Sequence, residues 1–174
     1  DAHVAVGRLQ RARELHGQKQ PPAVWFWAMS LAQALDSDLE NALRTAEEGV
    51  EKYPHHPTLR NNFGVLLELM GDLDRSETVV REALRDDPAV PQLSKNLGDL
   101  LYRGGKYEEA AEAYQRAAKL APDLGDDLFF KLGNIAFRQR DTAQAREHWK
   151  RVLALNPGHQ LARTNLEALE TAGA

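Results

Sequence analysis

Residues 91–122 read PQLSKNLGDLLYRGGKYEEAAEAYQRAAKLAP, and each half of this stretch repeats its apolar residues at helical spacing. In the first half Leu97, Leu100 and Leu101 recur at steps of three and four. In the second, Tyr107, Ala110, Ala111, Tyr114, Ala117 and Leu120 do the same. That spacing predicts two amphipathic helices, 91–104 and 107–120, each with one apolar and one charged face. Between them stands Gly104-Gly105, and glycine just past a helix end supplies the left-handed residue that closes it. Gly98 and Ala110 are small where the two helices are expected to cross, which lets the backbones come closer than the roughly 8–10 Å of ordinary helix packing. One such hairpin buries too little surface to stand alone and must stack on copies of itself.

The copies are present on both sides. Leu97-Gly98, Leu101, Ala110, Tyr114, Ala117 and Pro122 stand where a tetratricopeptide repeat has its signature residues, so the stretch resembles that family. Ser94 occupies the place of the signature's first aromatic. Upstream, Phe63-Gly64, Leu67, Gly71, Val80, Ala83 and Pro88 follow the same pattern, with Ser76 for the first alanine. Downstream, Phe129, Leu132-Gly133, Ala145, Trp149, Val152 and Pro157 follow it, with Ala136 for the tyrosine. The first unit is degenerate, having Met29-Ser30 for Leu-Gly and Ala46 for the second aromatic, yet it keeps Ala42 and Pro54. It opens with Trp25-Phe26-Trp27; successive helical side chains turn by about 100°, so the three cannot share one face. Phe26 is in core register and Trp27 is expected to point outward.

The resemblance implies an all-α fold, a right-handed α-solenoid of antiparallel helix pairs. Its four repeats would span 23–56, 57–90, 91–125 and 126–159, preceded by a helix and linker over 1–22 and followed by a capping helix over 160–174. Ala5, Leu9 and Ala12 fit the second helix of a repeat, so the first segment reads either as half a repeat or as a free-standing capping helix. In the last segment Leu166 keeps its place, but Arg163, Glu167 and Glu170 stand at positions that a further helix would bury. Burying charge there is costly, so this end reads as a polar cap.

Composition narrows the function. With 174 residues, 43% hydrophobic and 28% charged, the chain is globular rather than disordered. A net charge of −4 argues against a general nucleic-acid or anionic-membrane surface, both of which call for a basic patch. No apolar run approaches the ~20 residues of a membrane span. Cysteine is absent, which removes disulfide and thiolate chemistry and leaves the cytosol as the default compartment, with the periplasm as the alternative. The first residue is Asp1, and a piece of a longer chain is the expectation.

Candidate chemistry is sparse. Gly104-Gly105-Lys106 is followed by Tyr107 instead of the Ser or Thr of a phosphate loop. His55-His56 sits between Pro54 and Pro57 without a ligand at helical spacing. Asp123, Asp126 and Asp127 do not alternate as calcium ligands do, and near a helix start they suit capping. No serine lies in a nucleophile-elbow setting. No enzyme, cofactor or metal is expected.

What remains is a surface. In the family that this sequence resembles, the first helices of successive repeats line a concave groove. By register that groove takes Trp27, Leu31 and Leu35 from the first unit and Asn61, Asn62, Val65 and Glu68 from the second. The third contributes Lys95, Asn96, Asp99, Tyr102 and Arg103, and the fourth Phe130, Lys131, Asn134, Phe137 and Arg138. One end is apolar and the other partly basic. The family's carboxylate clamp is matched only at Asn96 and Lys131, with Asn61, Val65 and Asp127 in its other slots. The asparagines also match consensus positions that orient backbone. The resemblance implies a non-catalytic scaffold that binds a peptide or helix, one with an apolar anchor and an acidic or C-terminal carboxylate group. Two other readings are a regulatory or localising module of a larger protein, an enzyme included, and a self-associating scaffold.

Overall fold

The computed structural model describes residues 1–17 and 19–172. Among them are ten helices and no strand: α1 Ala2–His16, α2 Ala23–Leu35, α3 Leu39–Lys52, α4 Pro57–Leu69, α5 Leu73–Asp86, α6 Pro91–Arg103, α7 Tyr107–Leu120, α8 Asp126–Arg138, α9 Thr142–Leu155 and α10 Gln160–Ala172. The fold is the expected all-α array of helix hairpins.

The turns after α2, α4, α6 and α8 are built alike. An N–H beyond the helix end returns to the carbonyl five residues earlier, in the last helical turn: Asp38 to Gln33, Asp72 to Leu67, Lys106 to Leu101 and Asp141 to Ala136, each at 2.9 Å. Each turn encloses one left-handed residue: Ser37 (φ 64°), Gly71 (84°), Gly105 (73°) and Arg140 (64°). In the third hairpin Gly105 does this work while Gly104 stays right-handed at φ −72°. Asp38, Asp72 and Asp141 then cap the next helix by accepting from the N–H of Asn41, Arg75 and Gln144, which relieves one unpaired donor at each start.

The chain divides into two compact units, the first being Asp1–Pro88 and the second beginning at Ala89. In the first, Trp25, Phe26, Met29 and Leu59 form one core cluster, onto which Val6 and Leu9 of α1 pack. Ala42, Ala46, Phe63, Leu66 and Leu67 form another. Phe26 is fully buried and Trp27 is 38% exposed, as its register requires. Trp25 turns to α1: its indole N–H donates to the Leu9 carbonyl at 2.9 Å, and the Arg13 guanidinium lies 5.0 Å over its ring.

In the second unit Leu93, Leu97, Leu101, Tyr114, Leu128, Ile135 and Val152 are buried. Gly98 lies against the Tyr114 ring and Gly133 against the Trp149 ring, so a residue without a side chain on the first helix admits an aromatic from the second. On α10, Ala162 and Leu169 are buried while Arg163, Glu167 and Glu170 are exposed. Asp126 and Asp127 differ from the capping role expected of them. The N-cap position of α8 is Gly125, without a side-chain cap; Asp126 instead accepts from Asn156 Nδ2 at 2.7 Å, and Asp127 faces two lysines.

Candidate functional site

In the first unit the groove positions on α2 make an apolar stripe. Trp27, Leu31 and Leu35, joined by Val24, are all exposed and recur at steps of three and four along one helix face. Asn62 on α4 has a structural partner: its amide donates to Ser30 Oγ at 2.7 Å, and that hydroxyl donates to the Phe26 carbonyl at 2.7 Å. It therefore ties α4 to α2. Asn61 and Val65 are half-buried on α4.

In the second unit the first-helix positions fall into two groups. One is an ion cluster. Lys95 Nζ is 3.2 Å from Asp99 Oδ2 and 2.8 Å from Asp127 Oδ2. Lys131 Nζ pairs with Asp99 Oδ1 and stands 3.8 Å from Asp127 Oδ2. Tyr114 donates its hydroxyl to Asp99 Oδ1 at 2.7 Å. Burial works against the Asp99 anion, but hydrogen bonds from Lys131 and Tyr114 and the charges of both lysines outweigh it and hold its carboxyl below the usual range. Burial and the Asp99 charge together push the Tyr114 phenol up, so it stays a donor. Two of the expected groove cations are thus matched by two carboxylates. Asn96, beside them, is buried and accepts from Gln92 Nε2 at 2.9 Å.

The other group lines a pocket of about 530 Å³ between α6, α8, α9 and α10. Tyr102, Phe137, Trp149 and Leu169 supply apolar wall; Asn134 and Asn165 add amides, and Arg138 a cation. Its aromatics are braced, Phe137 against Trp149 with centroids 5.8 Å apart and Tyr102 edge-on to Tyr107 of α7, outside the lining, at 5.4 Å. Arg138 lies 4.8 Å over the Tyr107 ring, and no carboxylate among the described residues pairs with it. Phe130 sits outside this pocket, 4.7 Å from the His159 ring. His159 Nδ1 in turn accepts the Ala162 N–H at 3.2 Å, at the start of α10. Arg103 is exposed at the end of α6.

Four expected groove residues, Tyr102, Asn134, Phe137 and Arg138, therefore come together in one pocket, while Lys95, Asp99 and Lys131 come together with Asp127 in a neutral cluster. Register arithmetic on first helices missed Trp149, Asn165, Ala168 and Leu169. Trp149 is on a second helix, and the other three are on α10, whose polar positions marked it as a cap. Asn165 did carry a signal, since it precedes Leu166 as Asn62 precedes Phe63 and Asn96 precedes Leu97 in two of the repeats.

No described helix is long and apolar enough to cross a membrane. Comparison with known proteins follows the helix pattern. A TPR repeat-containing protein of Pseudomonas aeruginosa is 29% identical over 161 residues, covering 91% of this chain and 26% of that protein; the chain spans about a quarter of that relative's length. The solved Pseudomonas aeruginosa pilF structure superposes with a TM-score of 0.77 at 21% identity, covering 87% of this chain and 68% of that one. The structure of YrrB, described as a TPR protein with an unusual peptide-binding site, gives a TM-score of 0.71 at 16% identity, covering 94% and 82%. Repeats of this kind serve as scaffolds for protein–protein interaction. Family models described as tetratricopeptide repeat match residues 62–124 and 127–159, the two stretches that hold the glycine-on-aromatic pairs of α6/α7 and α8/α9, and the chain belongs to the tetratricopeptide repeat family.

Proposed function

We propose that this chain is a non-catalytic scaffold and that its second unit binds a peptide or helix by an apolar side chain set into the pocket between α6, α8, α9 and α10. The observation that carries this reading is the pocket itself. Its volume of about 530 Å³ falls within the roughly 300–1,000 Å³ typical of ligand sites. Mostly apolar walls with a few amides and one cation suit an anchoring side chain whose neighbouring backbone or carboxylate is polar. Arg138, held by an aromatic face and not by a carboxylate, supports a ligand with a carboxylate near its anchor. The YrrB likeness lends a precedent for peptide binding on the same fold.

The test is selection of binders from a random peptide library on the immobilised chain. Selected sequences are expected to share an apolar anchor and to lose at least about tenfold in affinity with Ala168→Trp, which fills the pocket, and with Phe137→Ala. Binders indifferent to both variants would sink the reading. A second reading, a regulatory or localising module of a larger protein, is favoured by the chain's matching only 26% of its Pseudomonas relative; the two are compatible, since a module also needs a binding surface.

A further inference from the structure

We infer that Asp99 is a specificity-determining residue, an internal carboxylate that occupies Lys95 and Lys131 as an acidic ligand would and closes this part of the α6/α8 face to acidic peptides. The inference rests on reading that face as a peptide-binding surface and adds which chemistry it rejects. By sequence, Lys95 and Lys131 are the cations of the basic end. In the fold, Asp99 stands between them, taking Lys95 on Oδ2 at 3.2 Å and Lys131 on Oδ1, while Asp127 takes Lys95 at 2.8 Å from the other side. The side chains of Lys95 and Asp99 retain only 14% and 19% exposure, so solvent screens this pairing less than at an open surface. Tyr114 fixes Asp99 with a further hydrogen bond.

An incoming carboxylate would have to displace Asp99 from both lysines and leave it buried against Tyr114 without its counter-charges, an unfavourable exchange. Arg138 is different: it lies seven residues beyond Lys131, about 10 Å along α8, over the Tyr107 ring and without a carboxylate partner among the described residues. The ligand that fits carries its carboxylate beside the apolar anchor and is neutral where it crosses Lys95 and Lys131.

The experiment measures fluorescence anisotropy of fluorescein-labelled tetraglutamate amide, with tetraglutamine amide as control, on the full chain at low salt. The parent is expected to bind the two peptides equally weakly. Asp99→Asn, which keeps an acceptor for Tyr114, should bind tetraglutamate at least about fivefold more tightly than the parent, and Asp99→Asn with Asp127→Asn more tightly still. Adding Lys131→Gln should cancel the gain. Asp127→Asn alone, at a carboxylate 48% exposed, gives the same direction of change if Asp99→Asn does not fold. Parent binding equal to that of the double variant, no gain in any variant, or a gain that survives Lys131→Gln would each overturn the inference. Ala168→Trp touches none of these charges, so a failure of the pocket reading leaves this result standing, and the reverse.

Discussion

Gly98 and Tyr114 share one space: a Cβ on Gly98 would lie 2.6 Å from both Cδ1 and Cε1 of the ring. That is closer than packed carbon atoms come, and the ring is itself fully buried. Gly98→Ala should therefore destabilise the chain by about 1–3 kcal/mol through overpacking, although alanine favours helix by about 1 kcal/mol elsewhere. Gly7, within α1, has nothing within 4 Å of its Cβ position, and Gly7→Ala should stabilise by up to about 1 kcal/mol. Urea unfolding of the two variants checks both signs; equal shifts would contradict the packing described.

The four hairpin turns predict a second pair of opposite effects. Arg140 is held at φ 64° where Gly71 and Gly105 serve other turns. A side chain in that conformation costs roughly 1–2 kcal/mol. Arg140→Gly should thus stabilise by about 0.5–1 kcal/mol and Gly105→Ala should destabilise by a similar amount. Thermal melts of the two variants, shifted in opposite directions, are the expected outcome.

The Asp99 cluster predicts an acid-sensitive component of stability. Its carboxyl titrates below the usual 3.8 in the folded chain, so the unfolded chain takes up its proton first as pH falls. The stabilisation is complete above the unfolded value and is lost as pH drops through the lower folded one. Asp99→Asn should be less stable than the parent at neutral pH, with the gap shrinking below about pH 4. Urea midpoints measured from pH 7 to pH 3 test this; a gap independent of pH would show that the effect is not ionic.

The contact between α1 and Trp25 predicts what the first helix does. Deleting residues 1–17 removes the carbonyl that accepts the Trp25 indole N–H and the Val6 and Leu9 side chains that cover the Trp25, Phe26 and Met29 cluster. A newly exposed apolar patch beside the α2 stripe should promote association. Light scattering across concentration is expected to show a larger species than the parent. A deletion that stays monomeric with unchanged melting would make α1 an appended helix only.

The helices, their order and their buried faces were legible in the sequence because they depend on local periodicity. Leu97 and Phe26 needed only their spacing to be placed inside, and Trp27 only its 100° offset from Phe26 to be placed outside. The hairpin turns were partly legible: Gly71 and the pair Gly104-Gly105 announce two of them, but Ser37 and Arg140 adopt the same left-handed conformation without a residue type that signals it, because the surrounding helices impose it.

Which charges meet was decided by tertiary structure alone. Lys95 and Asp127 are 32 residues apart, and Lys131 and Asp99 also 32, so only the packing of α6 beside α8 turns a basic end into a neutral cluster. The pocket had the same origin. Tyr102, Phe137, Trp149 and Leu169 come from four helices, and a concave surface exists only once side chains from separate elements are set at fixed distances. Periodicity tells each residue which way to face along its own helix; what it faces depends on the neighbour that folding brings there.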